Sequence, residues 1–153
     1  MRFTLDANVL VRANSLATGP AREILKILRS ETTHRLVLSR HILDEVTRVL
    51  AYPRLQMRYR LSPDEIGQYL TELENICTLV HPVVLEPVVL TDPDDDPVLY
   101  TALDGNAEVL RTLNADFYKP NVIAFCAKNR IQLMHDVELL HILRQISDLP
   151  GRA

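Results

Sequence analysis

The sequence predicts an α/β fold, a three-layer α/β/α sandwich around a central, mainly parallel sheet. Short apolar runs of strand character alternate with longer segments of helical periodicity, and this order is typical of parallel sheets covered by helices. The 153 residues, of which 47% are hydrophobic, are enough for one domain with a substantial core. We therefore expect a single domain over residues 1–148, followed by a frayed tail at 149–153.

The first half of the chain predicts two strands and three helices. Ser39 is a suitable N-cap for the second helix, which Pro53 would end. Ser62 and Glu65 form a capping box with Pro63 at the first helical position, which predicts the start of the third helix. Strands are predicted at residues 2–5 and 35–38, and helices at residues 21–29, 39–51 and 62–77.

The second half continues the alternation. Pro82 and Pro87 lie between two segments that predict strand or extended chain, and Pro120 stands near the start of a helix. Strand or extended segments are predicted at residues 78–80, 88–90, 109–112 and 131–134, and helices at residues 97–103, 120–128 and 136–146.

Glycine content and charge limit the function. The 4 glycines are too far apart to form a glycine-rich phosphate-binding loop. With 17 basic against 20 acidic residues the net charge is -3, so the chain lacks the basic surface of non-specific nucleic-acid binders. A nucleic-acid partner would need a local basic patch or bound cations.

Targeting and cysteine signals indicate a cytoplasmic protein. Cys77 and Cys126 lie among apolar residues, which predicts two buried free thiols and suits a reducing compartment. Asp6 comes too early for a signal peptide, and no apolar run is long enough to predict a membrane span. The five histidines lack metal-ligand spacing and predict structural or surface positions.

Acidic and amide side chains follow three predicted strands. Asp6 and Asn8 follow the first strand, residues 92–96 (Asp-Pro-Asp-Asp-Asp) follow residues 88–90, and Asn114 and Asp116 follow residues 109–112. The carboxyl ends of parallel strands meet at one edge of a sheet, where such folds bind ligands. We therefore expect these side chains to share one site.

Helix geometry adds Glu45 to these candidates. Glu45 lies about 40° outside the apolar arc of its predicted helix, whereas Asp44 points away from that arc. Glu45 can therefore face the sheet edge while Asp44 faces water. The alternative is a boundary carboxylate that reaches into solvent.

Converging carboxylates predict a metal site. Without a lysine or arginine among them they repel one another, and a cation relieves that repulsion. Oxygen ligands suit Mg²⁺ or Mn²⁺ rather than zinc. Metal ions held in this way can activate water and bind a polyanion, which indicates phosphodiester hydrolysis.

Five segments resemble, in order, the motifs of one family. Residues 5–10 (Leu-Asp-Ala-Asn-Val-Leu) resemble its opening Asp-Thr-Asn-Val-Leu, and residues 38–46 resemble its Ser-x-x-(apolar)₂-x-Glu helix. Residues 92–102 resemble its Asp-Pro-x-Asp motif, residues 105–112 its approach to Thr-Gly-Asp, and residues 131–140 its closing strand and helix. The chain thus resembles the PIN-domain ribonucleases, especially bacterial and archaeal proteins related to toxins of toxin–antitoxin pairs.

The resemblance implies that Asp6, Glu45 and Asp95 are the catalytic, metal-binding carboxylates. Asp95 is the fourth residue of Asp-Pro-x-Asp and lies seven residues before Ala102, as in the family. Supporting roles are implied for four residues: Asn8 beside Asp6, Ser39 as the cap of the Glu45 helix, Asp92 in the loop and Thr112 in the Thr-Gly-Asp position. An ordinary turn position before proline is the alternative for Asp92.

The family's Thr-Gly-Asp falls here on Thr112, Leu113 and Asn114. An amide thus replaces the fourth acid, and it can reach a metal only through its uncharged carbonyl oxygen. Asp116, two residues later, can substitute if the loop shifts. Leu113 in place of glycine implies a different turn.

The most basic and aromatic stretch is residues 52–60. Its arginines, with Arg12, are candidate RNA contacts, since arginines bind phosphates and tyrosines stack on bases. A solvated loop between two helices is the alternative. The candidate RNA-binding residues are Arg12, Arg54, Arg58 and Arg60.

Three functions follow. The first is a Mg²⁺- or Mn²⁺-dependent endoribonuclease, with RNA as substrate, an antitoxin protein as partner and a homodimeric state, as the resemblance implies. The second is a PIN-like module that binds RNA or metal with weakened or lost catalysis. The third, a phosphoacceptor domain using Asp6, lacks a lysine after a suitable strand.

Overall fold

A five-stranded parallel sheet forms the centre of the protein. The computed structural model describes residues 1–147; residues 148–153, which include the predicted tail, lie outside the described residues. The sheet order is β3-β2-β1-β4-β5, and all paired neighbours are parallel. The strands are β1 (Arg2–Leu5), β2 (Arg35–Ser39), β3 (Cys77–Val80), β4 (Val109–Arg111) and β5 (Gln132–Leu133).

Eight α-helices flank this sheet within residues 1–147, which confirms the predicted α/β sandwich. Two 3₁₀ turns, Pro93–Asp95 and Ala115–Tyr118, lie between helices and strands. The helices are α1 (Ala7–Arg12), α2 (Pro20–Ser30), α3 (Arg40–Leu50), α4 (Pro53–Tyr59), α5 (Pro63–Ile76), α6 (Asp96–Asp104), α7 (Pro120–Lys128) and α8 (Asp136–Ser147).

The strand order reverses direction between β1 and β4. The chain moves outward from β1 through β2 to β3, returns to β4 on the other side of β1, and ends at β5. Right-handed crossovers that run in opposite directions place their helices on opposite faces. A crevice therefore opens at the carboxyl ends of β1 and β4, the position where open α/β sheets bind ligands.

Close packing holds the helices that frame this crevice. Tyr69 on α5 is buried, and its hydroxyl donates a hydrogen bond of 2.7 Å to the carbonyl of Leu10 on α1. Gly105 follows α6 directly, and a Cβ there would lie 2.1 Å from Cγ1 of Val37 on β2. Only glycine permits this approach, so Gly105 sets how closely the end of α6 packs on the sheet.

Several local predictions need correction. Residues 88–90, predicted as strand or extended chain, join no strand, because the N–H groups of Val88 and Val89 donate to Asp96 instead of to a neighbouring strand. Pro53 begins helix α4, so the basic stretch is helical rather than a loop. Helix α1 was not predicted, since its run of Val and Leu residues lacks helical periodicity. Cys126 is buried as expected, whereas Cys77 is only half-buried; both are free thiols.

No membrane-crossing helix occurs in the described part of the chain, because none there combines the necessary length with the necessary apolar character.

Candidate active site

Asp6 lies at the carboxyl end of β1 and caps α1. Its side chain is buried, and Oδ1 accepts a hydrogen bond of 2.7 Å from the backbone N–H of Ala7. Oδ2 accepts one of 2.7 Å from the Thr112 hydroxyl, and Nδ2 of Asn8 lies 3.5 Å from the same oxygen. These bonds fix the carboxylate at the crevice, and Asn8 and Thr112 are two of the residues to which the resemblance assigns supporting roles.

The loop after β4 connects to Asp6 through both its backbone and its side chains. The Asn114 N–H donates to the Thr112 hydroxyl at 3.0 Å, and the Leu113 N–H donates to Oδ1 of Asn8 at 3.2 Å. Thr112 thus accepts from its own loop while it donates to Asp6. The loop and the end of β1 therefore form one hydrogen-bonded unit.

The acidic run 92–96 divides into structural and candidate catalytic residues. Oδ1 of Asp96 is buried and accepts bonds of 3.0 and 2.7 Å from the N–H groups of Val88 and Val89, so Asp96 holds the preceding segment. Asp92 accepts from the N–H of Asp94 at 3.2 Å, a bond that fits both the implied supporting role and an ordinary turn position before proline. Asp95 remains half-buried at the crevice.

Asn114 joins Asp95 to the β4 loop. Its Nδ2 donates a bond of 2.7 Å to Oδ2 of Asp95, and its Oδ1 accepts one of 3.0 Å from the Asp116 N–H. The side chain of Asp116 forms an ion pair of 3.0 Å with Lys119. The amide oxygen, the predicted metal-binding atom, thus already has a donor. The hydrogen bond from Nδ2 of Asn114 to Asp95 could not be predicted from the sequence, because it requires that the β4 loop and the acidic run 92–96 lie side by side.

Glu45 lies half-buried on α3, and Asp44 is exposed, as helix geometry predicted. One carboxylate oxygen of Glu45 is 3.5 Å from a guanidinium nitrogen of Arg48, one turn later. His41, one turn before Glu45, interacts electrostatically with Asp6. Sequence reasoning assigned His41 no role near the site; its spacing of four from Glu45 was the available signal.

Ser39 lies at the N-cap position of α3 but does not cap it through its side chain. Its buried hydroxyl instead forms a hydrogen bond of 2.8 Å with the Thr101 hydroxyl on α6, which itself donates to the Pro97 carbonyl at 2.6 Å. The predicted capping role is therefore wrong. Ser39 connects the end of β2 to α6, because α6 presents the Thr101 hydroxyl at that point.

The acids of the crevice interact through their charges. Burial raises the pKa of Asp6 above its usual value and the charge of Glu45 adds to this, whereas bonds from Thr112 and Ala7 lower it. Burial raises the pKa of Asp95 to about 6, and the charges of Asp92, Asp6 and Glu45 contribute. The sequence prediction that these segments meet at one edge is consistent with this coupling.

The donor chemistry fits a hard divalent cation. Asp6, Glu45 and Asp95 offer carboxylate oxygens, and their mutual repulsion is what such a cation relieves. Across residues 1–147, no group of three or more His, Cys, Asp or Glu side chains is arranged to hold a metal ion as it stands. Glu45 is half-buried, and its carboxylate is paired with the exposed Arg48 at 3.5 Å.

Protonation of Asp95 should make metal binding depend on pH. Its carboxyl group has a pKa of about 6 against a usual 3.8, so it ionises at lower pH in the unfolded chain. This group therefore makes the free energy of unfolding decrease as pH rises between these two values. Affinity for Mg²⁺ or Mn²⁺ should rise over the same interval, because the metal requires the carboxylate.

Carbon-13 NMR of the Asp95 carboxyl group and metal titrations at several pH values check both effects. Asp95→Asn should remove this contribution to the pH dependence of stability. Asp94→Asn, at the exposed neighbouring carboxylate, should leave it in place. Titration of Asp95 near its usual value in the metal-free protein would contradict the expectation.

The predicted RNA-binding arginines separate into two groups. Arg12 on α1 and Arg54 and Arg58 on α4 line one cavity, which also reaches Asn8. Arg60 follows α4 in a left-handed conformation (φ 52°) and is not among the residues that line that cavity. The structure thus brings three of the four arginines to the border of the crevice.

Comparison with known proteins identifies the family. The sequence model of the PIN domain matches residues 2–116, which is most of the chain and includes every candidate catalytic and metal-binding residue. The resemblance at residues 131–140 lies beyond the matched segment. Searches among curated proteins and among solved structures return no match. The matched segment shows that the chain belongs to the PIN-domain family.

Proposed function

We propose that the protein is a metal-dependent endoribonuclease that uses Asp6, Glu45 and Asp95 with Mg²⁺ or Mn²⁺. The observation that carries this is the approach of acids from separate segments at the crevice between β1 and β4, where hydrogen bonds through Thr112 and Asn114 join Asp6 to Asp95. Glu45 lies near enough to both acids to raise their pKa values. PIN domains are generally nucleases and typically use divalent metal ions. Hydrolysis of a phosphodiester is the reaction that this combination supports best.

The residues around the acids position them. Asp6 is fixed by Ala7 and Thr112, and Asp95 is held by the amide of Asn114. A divalent cation, when bound, supplies Lewis-acid activation of water and stabilises negative charge on the phosphate. Asp6, Glu45 and Asp95 would hold it, while the low dielectric around buried Asp6 strengthens that attraction.

Asn114 performs a task here that an aspartate could not. Its Nδ2 donates to Asp95 and thereby lowers the pKa of that carboxyl group, in opposition to burial and the surrounding acids. An ionised aspartate at this position would repel Asp95 instead. The replacement of the fourth acid therefore preserves the orientation of the third acid while removing one negative charge from the site.

The biological setting is proposed from the family resemblance. We place the protein in the cytoplasm as the toxin of a toxin–antitoxin pair, with an antitoxin protein as partner and a homodimer as its assembly. Arg12, Arg54 and Arg58 would contact the RNA. Expression of the protein with and without an adjacent short reading frame tests the toxin assignment.

Cleavage of a mixed pool of RNA tests the enzymatic proposal. Purified protein should cleave single-stranded RNA with Mg²⁺ or Mn²⁺ and should lose this activity in EDTA. Activity in EDTA that equals activity with metal would contradict a metal-dependent mechanism. Absence of cleavage with every metal, together with measurable metal binding, would support the alternative of a PIN-like binding module, which the Asn114 replacement and the Glu45–Arg48 contact favour.

A further inference from the structure

A small cavity borders the crevice on the side of α1 and α4. Its volume is about 210 Å³, and it is partly open to solvent. Asn8, which contacts Asp6, lines this cavity, so the cavity begins directly beside the candidate catalytic acids. Its size is below the range of ~300–1,000 Å³ that is usual for drug-sized ligands, so it suits one compact ring system.

The walls of the cavity are apolar and partly aromatic. Leu55 and Tyr59 come from α4, and Val11 and Val49 come from α1 and α3. Leu113, whose backbone N–H donates to Asn8, also lines the cavity; it occupies the position of the glycine in the family's Thr-Gly-Asp motif. The replacement of the motif glycine by Leu113 therefore adds an apolar side chain to the wall of the cavity.

The rim of the cavity is strongly basic. Arg12, Arg54 and Arg58 all border it and are exposed, and none of the three forms an ion pair with another residue of the range 1–147. The guanidinium carbon of Arg58 lies 5.3 Å from the ring centroid of Tyr59. Three uncompensated cations around an apolar recess are complementary to an anion that carries a flat apolar group.

We infer that this cavity is a nucleotide subsite of the nuclease, in which one unpaired base of an RNA strand packs against Tyr59 and Leu113 while Arg12, Arg54 and Arg58 bind the flanking phosphates. The inference rests on the proposed function and adds to it a specific binding place for one base of the RNA, in the recess lined by Tyr59 and Leu113. A base held in a duplex cannot enter such a recess without unstacking. The contact between Asn8 and Asp6 places the bound nucleotide next to the acids.

Binding and cleavage must be measured separately, since the subsite and the nuclease activity can fail independently. The probe is a fluorescently labelled 10-nucleotide RNA, used as a single strand, as a duplex, and as a strand with one abasic position. Fluorescence anisotropy with EDTA present measures binding without metal-dependent cleavage. Cleavage of the same single strand is then followed with Mn²⁺.

Substitutions at the rim test the phosphate contacts. Arg54→Ala and Arg58→Ala should each weaken binding and reduce the salt-dependence slope by about 0.7, the value for one phosphate contact of a single strand. Arg35→Ala is the matched control, because Arg35 is also exposed but lies at the start of β2, at the opposite end of the sheet. The control should leave affinity and slope unchanged.

Substitutions in the wall test the base contact. Tyr59→Leu keeps an apolar wall but removes stacking, and it should weaken binding of the intact strand by about tenfold. The same substitution should have a smaller effect on the abasic strand if the missing base is the one bound. Circular dichroism of each variant establishes that the fold is retained.

The outcomes are distinct. Weaker binding for Arg54→Ala, Arg58→Ala and Tyr59→Leu supports the subsite, even if no RNA is cleaved and the proposed function fails. Affinity and slope that match the wild type in all three variants overturn the subsite, even if RNA is cleaved. Equal affinity for single strand and duplex also overturns it, as does preferential binding of an acidic peptide over RNA.

Discussion

Replacement of Asp6 by asparagine should reduce metal-dependent RNA cleavage by about 10³-fold or more. A carboxylate that holds a catalytic cation contributes several kcal/mol to transition-state stabilisation, and each 1.36 kcal/mol corresponds to tenfold in rate. Asp6 occupies the end of β1, and its pKa is raised by burial and by the charge of Glu45. The amide keeps the shape of the side chain but removes the charge that attracts the metal.

The fold should survive this substitution. Oδ1 of asparagine can still accept from the N–H of Ala7, and its Nδ2 can donate to the Thr112 hydroxyl. Because burial disfavours the charged form of Asp6, loss of the charge should not lower the melting temperature. Thermal unfolding and isothermal titration with Mn²⁺ therefore distinguish loss of metal binding from loss of structure.

Asp44→Asn is the matched control for Asp6→Asn. Asp44 is an exposed carboxylate beside Glu45 on α3, so the substitution removes the same charge outside the crevice. Cleavage by Asp44→Asn should equal that of the wild type. Full activity of Asp6→Asn would show that the reaction occurs elsewhere. Glu45 and Asp95 would then lose their assignment as well, because it depends on their being close to Asp6.

Replacement of Asp136 by alanine should lower the free energy of unfolding by about 3–5 kcal/mol, as expected when one partner of a buried ion pair is removed. Nε of Arg111 lies 2.5 Å from Oδ1 of Asp136, and their side chains are 5% and 15% exposed. A second guanidinium nitrogen of Arg111 donates to the carbonyl of Thr112. The substitution therefore leaves the Arg111 guanidinium buried without its carboxylate, in contact with Thr112 of the loop that bonds Asp6.

Urea denaturation of a single and a double variant of the pair checks this prediction. Arg111→Met combined with Asp136→Leu should be less destabilising than Asp136→Ala, since no unpaired charge remains buried. Glu74→Ala is the control for an exposed pair, because Glu74 and Arg40 are 44% and 52% exposed. That change should lower stability by no more than about 1 kcal/mol. A similarly small effect for Asp136→Ala would contradict a stabilising role of the buried pair.

The Arg111–Asp136 pair also connects two parts of the chain. Arg111 ends β4, within the segment that matches the PIN domain, whereas Asp136 begins α8, beyond it. A carboxylate in the first turn of a helix is favoured by the helix dipole. Helix α8 thus stabilises the strand that leads to Thr112 and Asn114. The pair could not be predicted from local sequence patterns, because its two residues are 25 positions apart.

Local patterns were sufficient for most of the elements. The capping box of Ser62 and Glu65 predicted the start of α5, and both of its hydrogen bonds are present. Helical periodicity placed Glu45 and Asp44 on different sides of α3. Such predictions succeed because caps and periodicity depend on residues within a few positions of one another. Residues 88–90 resemble a strand locally, but the N–H groups of Val88 and Val89 donate to Asp96, so the tertiary structure leaves this segment outside the sheet.

The sequence by itself determined the fold class, the candidate acids and the family, because these are recorded in short motifs and in their order. Only the tertiary structure decided the roles of individual polar atoms. Ser39 bonds Thr101 on α6 instead of capping its helix, Asn114 donates to Asp95, and Arg12 joins two arginines of α4 around one cavity. Each of these roles depends on a partner distant in sequence. The sequence alone could not reveal them, because a buried polar group bonds with the donor or acceptor that tertiary packing places beside it.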